Sequence, residues 1–215
     1  FARFLCYHEG VKWQPRFGGR PWLLIINGDL FDFVQVISLP EDGRVLRLVA
    51  GVEQRSKLHI NERDFGLGTT TAESEWKLAQ IARGHQGFFA AQGWFVAHGN
   101  HVAIIKGNHD VELHWPQVRE RLVKEIERAY TRERLASGQG PALAPDELRA
   151  RVRFYPWFYH EPGALHRYGT RSQCHHRATG VGLVRQHRGL GAGLREGGTH
   201  RVAGEVVLLP PDLGV

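Results

Sequence analysis

The chain has 215 residues, a hydrophobic fraction of 42%, a charged fraction of 23% and a formal net charge of +6. That length suits one domain with a sizeable core, and the composition is that of a globular protein rather than a disordered or fibrous one. No apolar run approaches the roughly 20 residues that span a bilayer, and two cysteines, Cys6 and Cys174, are too few for a disulfide scaffold, so both read as free thiols of a reducing compartment.

The elements follow in chain order. Methionine is absent, position 1 included, so the sequence is expected to be a fragment or a processed product. Phe1 to Tyr7 has the apolar face of a helix and none of the regions of a signal peptide. Trp22 to Asn27 predicts a strand, branched and apolar between Pro21 and Gly28. Ser38 to Asn61 carries hairpin signals, with a turn expected at Asp42-Gly43. Thr71 to Gly93 predicts one helix, with Glu73 and Glu75 in its first turn. "AHGNH", Ala97 to His101, reads as a turn. Val102 to Ile105 predicts a second buried strand. Pro116 to Ala136 predicts a long helix that starts on proline and aligns Val118, Leu122, Ile126 and Ala129 on one face. Pro145 to Val152 predicts a shorter helix. Arg153 to His160 is aromatic and extended, and Pro156 makes it an edge or irregular strand.

The last 52 residues differ in kind. Residues 164–215 hold no lysine, one aromatic (Tyr168), and 7 of the 28 basic but only 3 of the 22 acidic side chains. Their Gly-, Arg- and His-rich text resembles a shifted reading frame of a GC-rich gene. With so few large apolar groups the segment is expected to be poorly ordered, save for a strand at Glu205 to Leu209. The chain is therefore divided into a domain over 1–163 and an atypical tail over 164–215. His160, His166, His175 and His176 read as solvated. The basic excess is diffuse and lacks an aromatic-interleaved patch, which argues against nucleic acid as a partner.

Two strand exits carry the chemistry. "PWLLIINGDLFDF" ends its apolar run in Gly28, Asp29 and, three residues on, Asp32. "VAIIKGNHDVEL" ends its run in Gly107, Asn108, His109 and Asp110. Each glycine allows a tight turn, and each turn presents oxygen or imidazole donors. In an open α/β sheet such exits are where ligands bind. Neighbouring parallel strands would bring Asp29 and Asn108 within reach of one ion, and these donors suit Mn²⁺, Fe²⁺, Zn²⁺ or Mg²⁺.

The pair "GDLFD" and "GNHD" resembles the second and third signature blocks of the calcineurin-like metallophosphoesterases. "NGDLFDF" is also similar to the bacterial branch of UDP-2,3-diacylglucosamine pyrophosphohydrolase-like enzymes. The resemblance covers roughly residues 20–163. It implies an α/β layered fold with helices on both faces of the sheet, incomplete here, and hydrolysis of phosphate esters at two divalent metal ions, Mn²⁺ first. It also implies a phosphorylated small-molecule or lipid-linked substrate and a cytoplasmic protein, at most peripheral to the membrane. By position, Asp29 would bridge the metals, Asn108 would bind the second through its amide oxygen, His109 would protonate the leaving oxygen, and Asp32 would orient His109. The family's Asp-x-His block is expected before Phe1. "GGTH", Gly197 to His200, echoes its closing block and would make His200 a metal ligand. Lacking the first block, the fragment is expected to be impaired as a catalyst. The alternative is a non-catalytic basic module that binds nucleic acid or an anionic membrane surface.

Overall fold

The computed structural model describes residues 1–161, 164–167, 173–174 and 205–209. Its elements are α1 (Ala2–Val11), β1 (Leu23–Asn27), β2 (Arg44–Val49), β3 (Val52–Lys57), α2 (Ile60–Phe65), α3 (Thr71–Gly84), α4 (Gln86–Ala97), β4 (His101–Ile105), α5 (Pro116–Ser137), α6 (Pro145–Arg151), β5 (Val152–Tyr155), β6 (Phe158–Glu161), β7 (Ala164–Arg167), β8 (Gln173–Cys174) and β9 (Glu205–Leu209). A 3₁₀ turn, Val111–His114, links β4 to α5.

The central sheet is mixed, in the order β5-β4-β1-β9. β1 and β4 are parallel neighbours, with Leu23 opposite His101 and Asn27 opposite Ile105. β5 continues the parallel set on the far side of β4, and β9 runs antiparallel along β1. The expected strand at Glu205 to Leu209 is thus present, while the rest of the reading of 164–215, shifted frame and order alike, lies outside the described residues apart from β7 and β8.

Side chains alternate across the sheet as the two-residue period of a strand requires. Leu24, Ile26, Val102, Ile104 and Val152 point into the main core, where they meet Leu5, Phe31, Phe89, Phe95, Leu122, Ile126 and Leu148 from the loops and helices. Ile25, Ala103 and Ile105 face the other way and pack with Leu23, Tyr155 and Tyr159. The expectation of helices on both faces is not met among the described residues. Helical side chains fill one face, and strand side chains alone form the cluster on the other.

Three local readings change. The turn at Asp42-Gly43 precedes the hairpin instead of closing it: Asp42 Oδ1 accepts the Arg44 amide at 3.1 Å. β2 and β3 are joined by Ala50-Gly51, with φ of 52° and 81°, the double left-handed geometry that matches strand twist in a two-residue loop. The helix predicted over Thr71 to Gly93 is two helices, broken at His85 (φ −126°, ψ 37°). A straight helix through Ala97 would be about 40 Å long, more than a small domain is wide. The break lets the polar-faced α3 pack on α5 and β2 while the apolar α4 lies against α1 and α5. Arg153 to His160 likewise divides. Pro156 ends β5, and Phe158 opens the separate sheet β6-β7-β8.

The long helix α5 follows its pattern. Pro116 sits at its start, Gly138 ends it at φ 67°, and Val118, Leu122, Ile126 and Ala129 are buried. α4 approaches it so closely at Gly93 that a Cβ there would lie 2.4 Å from Tyr130 Cβ.

The "AHGNH" turn holds the fold's main polar brace. Asn100 is fully buried. Its Oδ1 accepts the Trp22 amide at 2.8 Å and the Lys12 ammonium at 3.3 Å. Its Nδ2 donates to Glu9 at 2.8 Å and to the Phe95 carbonyl at 3.0 Å. α1, α4 and the starts of β1 and β4 thereby meet at one amide.

Two stability outcomes follow from this packing. Asn100→Ala should lower the unfolding free energy by about 3 kcal/mol, since it strands buried donors and the Glu9–Lys12 pair. Gly93→Ala should cost about 1–3 kcal/mol by forcing α4 from α5. Urea denaturation checks both, and a loss under 0.5 kcal/mol in either would contradict the packing described.

Candidate active site at the strand exits

The parallel register of β1 and β4 ends both strands at one edge. Beyond Asn27, Gly28 and Asp29 both take positive φ, 75° and 49°. Glycine adopts this freely, and Asp is among the few other residues that tolerate it. The reversal lets Leu30, Phe31 and Phe33 drop back into the core, each 1% exposed or less. Asp29 and Asp32, on the intervening positions, stay half-buried at the rim. Beyond Ile105, Gly107 and Asp110 are buried while Asn108 and His109 are exposed.

Three hydrogen bonds fasten the two loops to each other, and a fourth braces the second loop internally. Asp29 Oδ1 accepts the His109 amide at 3.1 Å, and the His109 carbonyl accepts the Phe33 amide at 3.1 Å. Asp110 Oδ2 accepts the Leu30 amide at 2.7 Å, and its Oδ1 accepts the Gly107 amide at 2.5 Å. His109 Nδ1 lies 3.3 Å from Asp32 Oδ2, with the imidazole half exposed and the carboxylate largely shielded. Asp32 Oδ1 in turn accepts the Gln35 amide at 3.3 Å. Asp29, Asp32 and His109 therefore stand together, with Asn108 exposed beside His109 on the same loop. His200, with the "GGTH" echo, lies outside the described residues, as do His166, His175 and His176 and the side chain of His160.

Electrostatics at the site are dominated by burial. Asp110 has no exposed surface. Desolvation pushes its carboxyl up to about 6; the amides of Gly107, Leu30 and Phe31 pull against this, and the charge of Asp29 adds to it. Glu112, in the 3₁₀ turn, is also held above the usual carboxylate range by burial, against the pull of Lys77 and His114. Lys77 of α3 is 4% exposed and lowered by burial, with Glu112 and Glu73 opposing. Glu73 itself is fixed by the Thr70 hydroxyl at 2.7 Å and Arg47 at 3.3 Å. Lys77, Glu112 and Glu73 thus form a buried set of opposite charges next to the 3₁₀ turn that follows the second loop.

The sequence places Asp110 among the donor side chains of its exit; wholly buried and engaged with the Leu30 and Gly107 amides, it instead fastens the loops, and Lys77 and Glu112 carry no expectation from sequence. Asp110 had a signal in principle, as the last polar residue of a block that otherwise points outward. Lys77 had none, because a lysine within a helical stripe reads as a solvated position.

In chemical terms the exits offer one carboxylate, one amide, and an imidazole backed by a second carboxylate. The oxygen donors suit hard or borderline divalent cations. Among the described residues no three His, Cys, Asp or Glu side chains form a ready metal cluster. No helix among them is long and apolar enough to cross a membrane.

The buried clamp gives a pH signature. A carboxyl whose folded value is raised from 3.8 to about 6 keeps its proton longer in the folded state. The associated stability is present below the ordinary value and is lost as pH rises through 6. Without added metal, the wild-type protein should therefore lose about 2 kcal/mol relative to Asp110→Asn between pH 4 and 7. Urea unfolding of both proteins across that range measures it, and parallel pH profiles would refute the shift.

No family model, no curated protein and no solved structure matches this chain.

Proposed function

We propose that the protein is a metal-dependent hydrolase of phosphate esters of the calcineurin-like metallophosphoesterase kind. The observation that carries this reading is the fastening of the two strand exits. Asp29 receives the His109 amide at 3.1 Å, and the His109 imidazole sits 3.3 Å from Asp32. Two blocks far apart in sequence share one edge, with acid, amide and imidazole together.

Each residue has a distinct task. Asp29 and Asn108 supply the oxygen donors for divalent cations, Mn²⁺ first and Fe²⁺, Zn²⁺ or Mg²⁺ as alternatives. When bound, such ions polarise the phosphoryl oxygens and lower the pKa of the attacking water. Asp32, 3.3 Å from His109 Nδ1, accepts a hydrogen bond from the ring N–H and so holds the ring by one nitrogen. That leaves Nε2 to give a proton to the departing oxygen of the ester. Asp110 and the amides it binds keep the loops in register. Asp29 and Asn108 alone are fewer donors than a two-metal centre needs, so further ligands are required from elsewhere. His200 is the one expected from this chain. A cytoplasmic setting accords with the free, exposed thiol of Cys6.

The three roles separate by measurement. With Mn²⁺ and a generic aryl phosphate, His109→Ala should lower turnover by 10²-fold or more, the order of a lost general acid, with Mn²⁺ content little changed. Asp29→Ala should abolish Mn²⁺ binding. Asp32→Asn should fall between in turnover and keep the metal. Equal metal loss in all three variants would make His109 a ligand and not an acid. Salt-sensitive binding of polyanions, with no metal-dependent hydrolysis, would replace the enzyme by a basic binding module.

A further inference from the structure

The carboxyl edge that holds the two loops continues to β5, and there it carries an aromatic and a cation that the proposed chemistry does not use. Lys106 directly precedes Gly107. Its backbone amide donates to the Tyr155 carbonyl at 3.0 Å, which ties the exit of β4 to the exit of β5. Pro156 ends β5, and the next residue, Trp157, is 60% exposed; Phe158 beside it is 52% exposed. The Lys106 ammonium stands 4.8 Å from the centroid of the Trp157 ring. Among the described residues Lys106 makes no ion pair, so the ring faces of Trp157 and an uncompensated positive charge adjoin the Gly107–Asp110 loop.

A large aromatic left open to water at a rim is poor economy for stability, since ring burial is among the larger gains a side chain offers. The β5 turn does not bury it. It presents it at the sheet edge where α/β proteins take their ligands, one loop away from the residues assigned to the phosphate. A cation drawn to one part of the ring is held in place by its quadrupole and meets negative charge arriving at the loop. The open face of the indole suits a flat, delocalised ring, which stacks with little sequence or substituent demand. An alkyl phosphate or inorganic phosphate would use the ammonium and leave the ring unused.

We infer that Trp157 and Lys106 form a recognition platform for a nucleoside phosphate, with the base stacked on Trp157 and the phosphate directed past Lys106 to the Asp29–Asn108 loops. This rests on the proposed phosphoesterase reading for the placement of the phosphate. The stacking itself does not.

Equilibrium binding of AMP and of inorganic phosphate to the full chain, followed by calorimetry with Mn²⁺ present, tests it. AMP should bind about tenfold more tightly than phosphate, the scale of one base stacked on an aromatic ring. Trp157→Ala should erase that advantage and leave phosphate affinity within about twofold, while Trp157→Phe should retain most of it. Lys106→Met should weaken both ligands together. Thermal melting within a few degrees of wild type shows that the variants fold, as expected for an exposed side chain. An AMP-to-phosphate ratio near one in the wild type, or a ratio unchanged in Trp157→Ala, overturns the platform. Hydrolysis of a generic aryl phosphate is read separately. Its absence with the ratio intact overturns the phosphoesterase reading alone, and its presence with the ratio lost overturns the platform alone.

Discussion

One buried carboxylate holds the strand-exit edge of this protein in shape. Asp110 has no exposed surface and accepts the amides of Leu30 and Gly107. Each amide belongs to a loop leaving a different strand. An amide that has left its sheet ladder must find another partner or suffer the loss of its hydration. Asp110 satisfies one from each loop at once. The loops therefore cannot drift independently, and the outward-facing groups between them, Asp29, Asn108 and His109, inherit a fixed spacing. The burial that makes the clamp rigid also makes its charge costly, which is why the carboxyl is pushed up to about 6.

The clamp depends on the sheet beneath it. β1 and β4 are parallel and in register to their last residues, Asn27 and Ile105. Both bury their two faces almost completely, so neither strand can slide without moving its apolar side chains to the wrong side. At the other end of the same strands, Asn100 binds the amide of Trp22 and links Glu9 and Lys12 of the α1 region. A polar brace at each end and an apolar sheet between them hold the groups proposed to meet a ligand at the rim. The charged set of Lys77, Glu112 and Glu73 lies next to the 3₁₀ turn that follows the second loop. Burial holds Glu112 above and Lys77 below their ordinary values, and each opposes the other's shift by its charge.

Legibility in the sequence followed the range of the forces involved. Strands at Trp22 to Asn27 and Val102 to Ile105, the helix from Pro116 and the strand at Glu205 to Leu209 are dictated by local apolar pattern and by proline and glycine at their ends. The proximity of Asp29, Asp32 and His109 was also foreseeable, because it needs only that two such strands be parallel neighbours. The break at His85 had only a weak local signal: Gly84 and Gly87 flank it and lower helix propensity without ending a helix by themselves, and the packing of α3 and α4 against different partners goes with the bend there. The closing turn of the hairpin was misplaced because Asp42-Gly43 and Ala50-Gly51 are both plausible turns, and the cross-strand register of β2 and β3 chose between them.

The sequence by itself determined the two glycine-ended strands, their polar exits and the long amphipathic helix, because each of these is encoded in the spacing of neighbouring residues. Tertiary structure alone decided which of these side chains hold the fold and which are left at the rim. Asp29 and Asp110 are both acids shortly beyond a glycine at a strand exit, one residue past Gly28 and three past Gly107. Only the fold leaves the first at the rim and draws the second wholly out of water, and it does so because Leu30, Phe31 and Phe33 must reach the core. The same is true of Lys106 and Trp157, whose contact exists because β4 and β5 are adjacent and parallel, a pairing that no local pattern specifies.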